Sequence, residues 1–298
     1  MIDIEEMIRE IKRKDKEESK SLNDFLPLEK RYKSYTQQRE EVFKDKERRK
    51  DGRKDNDHRK IFIQLGTVSD ARGSCYVELG DTKVILSIRG PKEIPNIQEY
   101  TELCALECLV EYAPFVKKPT SDEGFMAEAL RLALEPVLCR HEFPNLQITV
   151  SAFIIEDGGS ALAAAITAAS LAMTQARLPT FGVVTAVTVG IHNNRVIVDP
   201  SKLEEDFCSN PYDAKSVKNF GLITIAYMND LKQITLYQMN GTAKPSLLDQ
   251  VLQGMLNRCQ ELHKLCAQHL MRELKLSAKH IIDTAQARAA VETLNLNG

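Results

Sequence analysis

Hydrophobic and polar positions alternate most regularly between Leu146 and Ile155. Ile148, Val150, Ala152 and Ile154 fall on one side and Gln147, Thr149 and Ser151 on the other. A period of two predicts a strand with one buried face. The pattern then breaks at Gly158-Gly159, and an alanine-rich run from Ala161 to Met173 follows. Glycines permit a tight turn, Ser160 is placed to cap, and alanine has the highest helix propensity, so strand, turn and helix are predicted in that order. Upstream, Cys75 to Leu79 and Thr82 to Ile88 read as a hairpin through Gly80-Asp81. Thr120 and Glu123 have capping-box spacing and open a helix with Met126, Leu130 and Leu134 on one face, bent or ended at Pro136.

The second half repeats these kinds of element. Val183 to Ile191 is a β-branched run, Asn193-Asn194 supplies a turn, and Arg195 to Asp199 returns. Leu222 to Met228 and Gln233 to Gln238 flank Asn229-Asp230. Ser246 with Asp249 then starts a long helix carrying Leu248, Val251, Leu252, Met255, Leu256 and Cys259. Strands precede a terminal helix in both halves. The expected fold is α/β, a domain over residues 46–298 made of two similar strand-helix lobes, about 46–180 and 181–298.

Residues 1–45 form a different kind of segment, dense in both charge signs and nearly free of aromatics, and are expected to be a partly disordered or helical extension. Ile4, Met7, Ile8 and Ile11 have helical spacing, which fits either a partner-docking helix or a solvated one. The basic stretch from Lys44 to Lys60 is interspersed with acids, which favours a solvated arm over an RNA contact or a nuclear address. The chain has 298 residues, a formal net charge of −2 and seven cysteines without paired spacing. That balance gives no global electrostatic case for nucleic acid, and the cysteines fit reduced thiols inside a cell. The longest run of low polarity is too short for a bilayer span, so no membrane association is expected.

Chemistry enters at two places. Backbone N–H groups at the start of the alanine-rich helix, with the positive end of its dipole, would seat a phosphate or carboxylate over Gly158, Gly159 and Ser160. No arginine accompanies them. Cys259, His263, Cys266 and His269 have the composition of a zinc set, but ten residues of straight helix span about 15 Å and cannot converge on one ion. Neither a metal nor a cofactor is expected; the thiols should pack in the core.

The segment from Leu134 to Met173 closely resembles the centre of RNase PH-type subunits of the RNA exosome. RKDGRKDNDHR (Arg49 to Arg59), ARGSCYVELGDTKVILSIRGPKE (Ala71 to Glu93), VIVDPSKLEED and LYQMNG extend the resemblance over roughly residues 46–270. It implies an RNase PH-type fold. Active members shorten RNA from its 3′ end with inorganic phosphate as nucleophile, which requires two arginines and two aspartates. The first arginine corresponds to Arg131 and the first aspartate to Asp206. The second arginine corresponds to Ala161 or Leu162, and the second aspartate to Leu222, with Asp213 in an inserted loop as a possible substitute. The resemblance therefore implies a non-catalytic subunit; the alternative is an active phosphate-dependent 3′-to-5′ exoribonuclease. Its implied partners are other RNase PH-like ring subunits, an RNA-binding cap subunit and RNA in the ring's channel, with Arg89, Lys92, Lys117 and Lys118 as candidate RNA contacts. Its implied locations are nucleus, nucleolus and cytoplasm.

Overall fold

A computed structural model describes residues 35–43, 48–94, 100–116, 121–209 and 219–296. The chain divides into two compact units, Met1–Lys54 and Asp55–Gly298. In the first, helix α1 spans Tyr35–Val42, and the Asp51 carboxylate accepts hydrogen bonds from the Arg53 backbone N–H at 3.3 Å and from its Nε at 2.7 Å. The predicted helix around Ile4 to Ile11 lies outside the described residues, as do Lys117, Lys118 and Asp213.

The second unit holds two sheets. The first comprises β1 (Ile61–Leu65), β2 (Gly73–Leu79), β3 (Thr82–Glu93), β4 (Ala105–Tyr112) and β5 (Leu146–Glu156), in the order β1-β2-β3-β5-β4. Only the β4–β5 pair is parallel, because helix α2 (Ser121–Leu134) carries the chain back between them. The second sheet is antiparallel, with β6 (Val184–His192), β7 (Arg195–Val198), β8 (Phe220–Met228) and β9 (Gln233–Thr242) in the order β7-β6-β8-β9. Helix α3 (Ala161–Gln175) follows β5, α4 (Lys202–Ser209) follows β7, and α5 (Pro245–Leu296) follows β9.

Helix α3 packs against both sheets, touching β2 and β3 on one side and β6 on another. Its residues from Ala161 to Met173 are all buried except Leu162. A helix without a polar face has to lie inside the protein, and alanine lets two sheets approach it. Gly73 of β2 marks the tightest approach: a Cβ there would stand 2.4 Å from the Ala172 carbonyl oxygen. The hydroxyls of α3 solve a second problem. β7 pairs only with residues 189–192 of β6, so the start of β6 lacks a partner on that edge. Ser170 Oγ accepts from the Val184 N–H at 2.8 Å, and Thr167 Oγ1 accepts from the Ala186 N–H at 3.2 Å. Those buried donors would otherwise go unmade.

On α5, Val251, Met255 and Cys259 are buried against Val187, Val189, Ile223 and Ile225 of the second sheet. Leu262 and Cys266 join the larger core around α3. The thiols thus pack as the sequence implied.

Two local expectations are corrected. Ser160 does not cap α3: it sits at φ +56°, makes no side-chain cap bond, and its Oγ donates to the Pro200 carbonyl. The left-handed backbone turns its hydroxyl away from the helix start. Helix α5 begins at Pro245, so Ser246 lies within it; proline's fixed φ and missing N–H suit the first helical position. The capping box of Thr120 and Glu123 lies partly outside the described residues, since Thr120 is not among them; the Glu123 carboxylate accepts from the Tyr112 N–H at 3.2 Å, tying α2 to the end of β4.

Candidate functional site

The Gly158-Gly159 turn is clamped from three directions. Arg59 Nη1 donates to the Gly158 carbonyl and Nη2 to the Gly159 carbonyl, at 3.0 and 2.9 Å. Thr82 Oγ1, from the first hairpin, donates to Gly159 O at 2.6 Å. From the second lobe, the Lys202 N–H donates to Gly158 O at 2.9 Å. Gly159 has φ +100°, and the segment Pro200–Lys202 passes so closely that a Cβ would meet Pro200 O at 2.5 Å. Both properties require glycine.

Arg59 also forms a fork with Asp199. Its backbone N–H and Nε donate to Oδ2, and Nη2 donates to Oδ1 at 2.6 Å. Asp199 is 1% exposed, and His58 Nδ1 stands 3.7 Å from it. Burial pushes the Asp199 carboxyl up, but the hydrogen bonds from Arg59 and the positive charge around it outweigh burial and hold it at about 2. Asp55 and Arg195 form a second two-armed pair at 2.7–2.8 Å. The solvated-arm expectation for Lys44 to Lys60 is therefore wrong for its last residues. A partner more than a hundred residues away gives no signal in the local charge pattern; the Asp in VDPS was the only available clue.

Beside the turn lies a cleft of about 210 Å³. Its walls include Tyr112, Asp157, Ser160, Ala161, Leu162, Lys202, Glu205 and Leu222. The structure thus brings together the phosphate-cradle residue Ser160 and the three apolar positions, Ala161, Leu162 and Leu222, from two different lobes. Lys202 Nζ contacts Asp157 Oδ2 at 2.7 Å and Glu205 Oε2 at 3.7 Å. The Glu205 carboxyl is pushed up to about 7, by burial first and then by Asp157 and Asp206, against the opposing pull of Lys202. Burial works against the Lys202 ammonium, yet Glu205 and Asp157 outweigh it and raise its pKa.

The retained family positions lie apart from this cleft. Arg131 donates to Glu128 Oε1 and Oε2 at 2.7 and 2.9 Å and to Glu135 Oε2 at 2.7 Å, all on its own helix or just past it. Glu135 is shared with Arg140. Asp206 is exposed on α4, one residue past Glu205, and is not among the residues lining the cleft. Arg89 and Lys92 are exposed, but they lie within β3 rather than in loops. β3 continues through Gly90-Pro91 by an irregularity in its pairing with β5, a feature that proline conceals in sequence. Arg131→Gln should leave the melting temperature essentially unchanged in a thermal melt, because its ion pairs are partly solvated; a large loss would reveal a contact to a partner of the helix.

Two α/β lobes meet beside a glycine turn that leads into a helix N-terminus, the kind of joint at which proteins bind phosphate. Residues 57–179 match the model of the 3′ exoribonuclease family, domain 1, and residues 182–258 match domain 2 of the same family. The chain belongs to this RNase PH family. An exosome complex component RRP41-like protein of Arabidopsis thaliana is 37% identical over 171 residues, which is 55% of this chain and 66% of that protein, just under two thirds of its length. The exosome complex component Rrp41 of Cenarchaeum symbiosum (strain A) is 29% identical over 222 residues, 72% of this chain and 87% of that protein. Among solved structures, the Archaeoglobus fulgidus exosome with RNA bound to the active site superposes with a TM-score of 0.66 at 21% identity, covering 77% of this chain and 98% of that one.

Proposed function

We propose that this chain is a non-catalytic subunit of the RNase PH-like ring of the RNA exosome core, of the messenger-RNA transport regulator type. In that role it supports 3′-to-5′ RNA processing and degradation by forming part of the wall through which RNA threads. Other RNase PH-like subunits flank it, an RNA-binding cap subunit contacts it, and it works in nucleus, nucleolus and cytoplasm. One observation supports the reading: Ala161, Leu162 and Leu222 line one cleft, and under the family resemblance these are the positions at which an active subunit would carry its second arginine and second aspartate. Removing one preorganised donor from an anion-stabilising site costs about 10²- to 10³-fold in rate. The missing carboxylate adds to that loss.

The relatives named Rrp41 and the retention of Arg131 and Asp206 favour a second reading, an active phosphate-dependent exoribonuclease. Incubating the purified full chain with end-labelled single-stranded RNA and inorganic phosphate separates the two. The expected result is no phosphate-dependent release of nucleoside diphosphates above a protein-free blank. Robust shortening that disappears in Asp206→Ala establishes the second reading instead. Recovery of other RNase PH-like chains with this one from cell extracts is the expected result for a ring member.

A further inference from the structure

Each sheet ends in two edge strands, β1 and β4 in the first and β7 and β9 in the second. An edge leaves a row of backbone N–H and C=O groups unpaired, and folds usually blunt it by shortness, charge, proline or cover. Three of these edges are blunted. β1 has five residues, and β4 exposes Glu107 and Glu111. β7 has four residues, and its Val198 N–H donates to the Asp55 carbonyl at 2.8 Å. β9 is different. Its ten residues, QITLYQMNGT, include no charge and no proline. The pairing with β8 skips Thr235 near the start, but from Leu236 to Thr242 it runs in unbroken register, and among the described residues no other strand pairs with β9. Ile234 and Tyr237 are each 46% exposed, Leu231 is exposed in the turn before them, and α2, which packs beside β9, exposes Phe125 and Leu132. Clustered exposed apolar groups mark interaction surfaces.

We propose that the β9 edge joins this chain to a second copy of itself, with β9 pairing antiparallel to β9 across a two-fold axis. A strand edge is complementary to itself. The axis makes the two strands antiparallel and turns each unpaired N–H of one copy toward a carbonyl of the other. Neutrality favours this occupant, because a charged side chain near the axis would meet its own like. The same neutrality disfavours RNA, to which the strand offers no cation. Main-chain bonds alone make a small joint. The exposed side chains of Leu231, Ile234, Tyr237, Phe125 and Leu132 flank it with apolar area, toward the about 1,200–2,000 Å² that a stable interface buries. The pairing is independent of the cleft's chemistry: an active chain and an inactive one would form it alike.

Light scattering of the full chain, combined with hydrogen exchange read by mass spectrometry, tests the proposal. The expected species has twice the chain mass of 33.6 kDa and dissociates on dilution. As it does, exchange over residues 236–242 should quicken while β8 stays protected. Successive N–H groups along a strand point alternately toward its partner and away. One of Tyr237→Pro and Gln238→Pro therefore removes an outward N–H and leaves the β8–β9 ladder whole. That variant, identified by a melt like wild type's, should dimerise about tenfold or more weakly, the scale of a main-chain hydrogen bond left unmade. A monomeric wild type overturns the proposal, whichever other chain covers the edge. So does a dimer that the folded proline variant keeps at full strength. If neither proline variant folds, the wild type's exchange decides: rates over 236–242 that do not respond to dilution overturn it.

Discussion

Arg59→Ala will lower the stability of the fold by about 3–5 kcal/mol, the usual cost of stripping one partner from a buried ion pair. Asp199 would be left inside the protein with its charge, and the Gly158 and Gly159 carbonyls would lose their guanidinium donors. Domains rarely exceed about 5–15 kcal/mol in total stability, so a loss of this size endangers folding at 37 °C. Urea denaturation of the two proteins measures it. Arg59→Lys should recover only part of the loss, because an ammonium keeps the charge without the planar fork. A wild-type midpoint for Arg59→Ala would mean that the network contributes nothing.

The same pair sets an acid limit. Asp199 is held at about 2, below the ordinary value of 3.8. Its folded-state pKa is depressed, so its contribution is complete above the unfolded value and fades as pH falls from about 4 through about 2. The shift corresponds to about 2 kcal/mol. Stability measured at pH 6 and again near pH 2 should therefore differ less in Asp199→Asn than in wild type.

Gly159→Ala is the second severe change. An added Cβ would stand 2.5 Å from the Pro200 oxygen, 2.7 Å from the Lys202 nitrogen and 2.7 Å from the Ser201 carbonyl carbon, and φ is +100°. Backbone cannot retreat as a flexible side chain can. Backbone strain and overpacking each cost about 1–3 kcal/mol, and together they predict about 3–5 kcal/mol of destabilisation. Gly124→Ala is the control. Gly124 lies in α2 with nothing within 4 Å of an added Cβ, so alanine there should stabilise by about 0.5–1 kcal/mol. If both glycine variants melt alike, the close passage of Pro200–Lys202 is not a constraint.

Much of the architecture was legible because its signals are local. The alternation over residues 146–155 became β5, with Ile148, Val150, Ala152 and Ile154 buried, and the alanine-rich run after Ser160 became a buried helix. The juxtaposition of Ala161 and Leu222 also followed from ordered motifs. What escaped sequence reasoning is non-local. Ser160 resembles a cap until its φ is known; Glu205 resembles any acid on a charged helix until the cleft it lines is seen. Arg59 lies in a run of mixed charge in which Asp55 also pairs with a distant residue, and only the fold distinguishes them. Arg131 shows the converse: a motif match retained its identity while its side chain turned to Glu128 and Glu135.

Helix α3 joins the first sheet to the start of β6 in one core, while the rest of the second sheet keeps a core of its own with α5. Helix α3 packs on β2 and β3 in the same core as Val77, Leu86 and Ile154, and the opening residues of β6 take hydroxyl acceptors from the same helix. Cutting the chain near residue 180 would strip the second sheet of those acceptors and leave one side of an alanine helix wet. The boundary between the halves therefore runs through a core they share at α3, and the two lobes are expected to melt together.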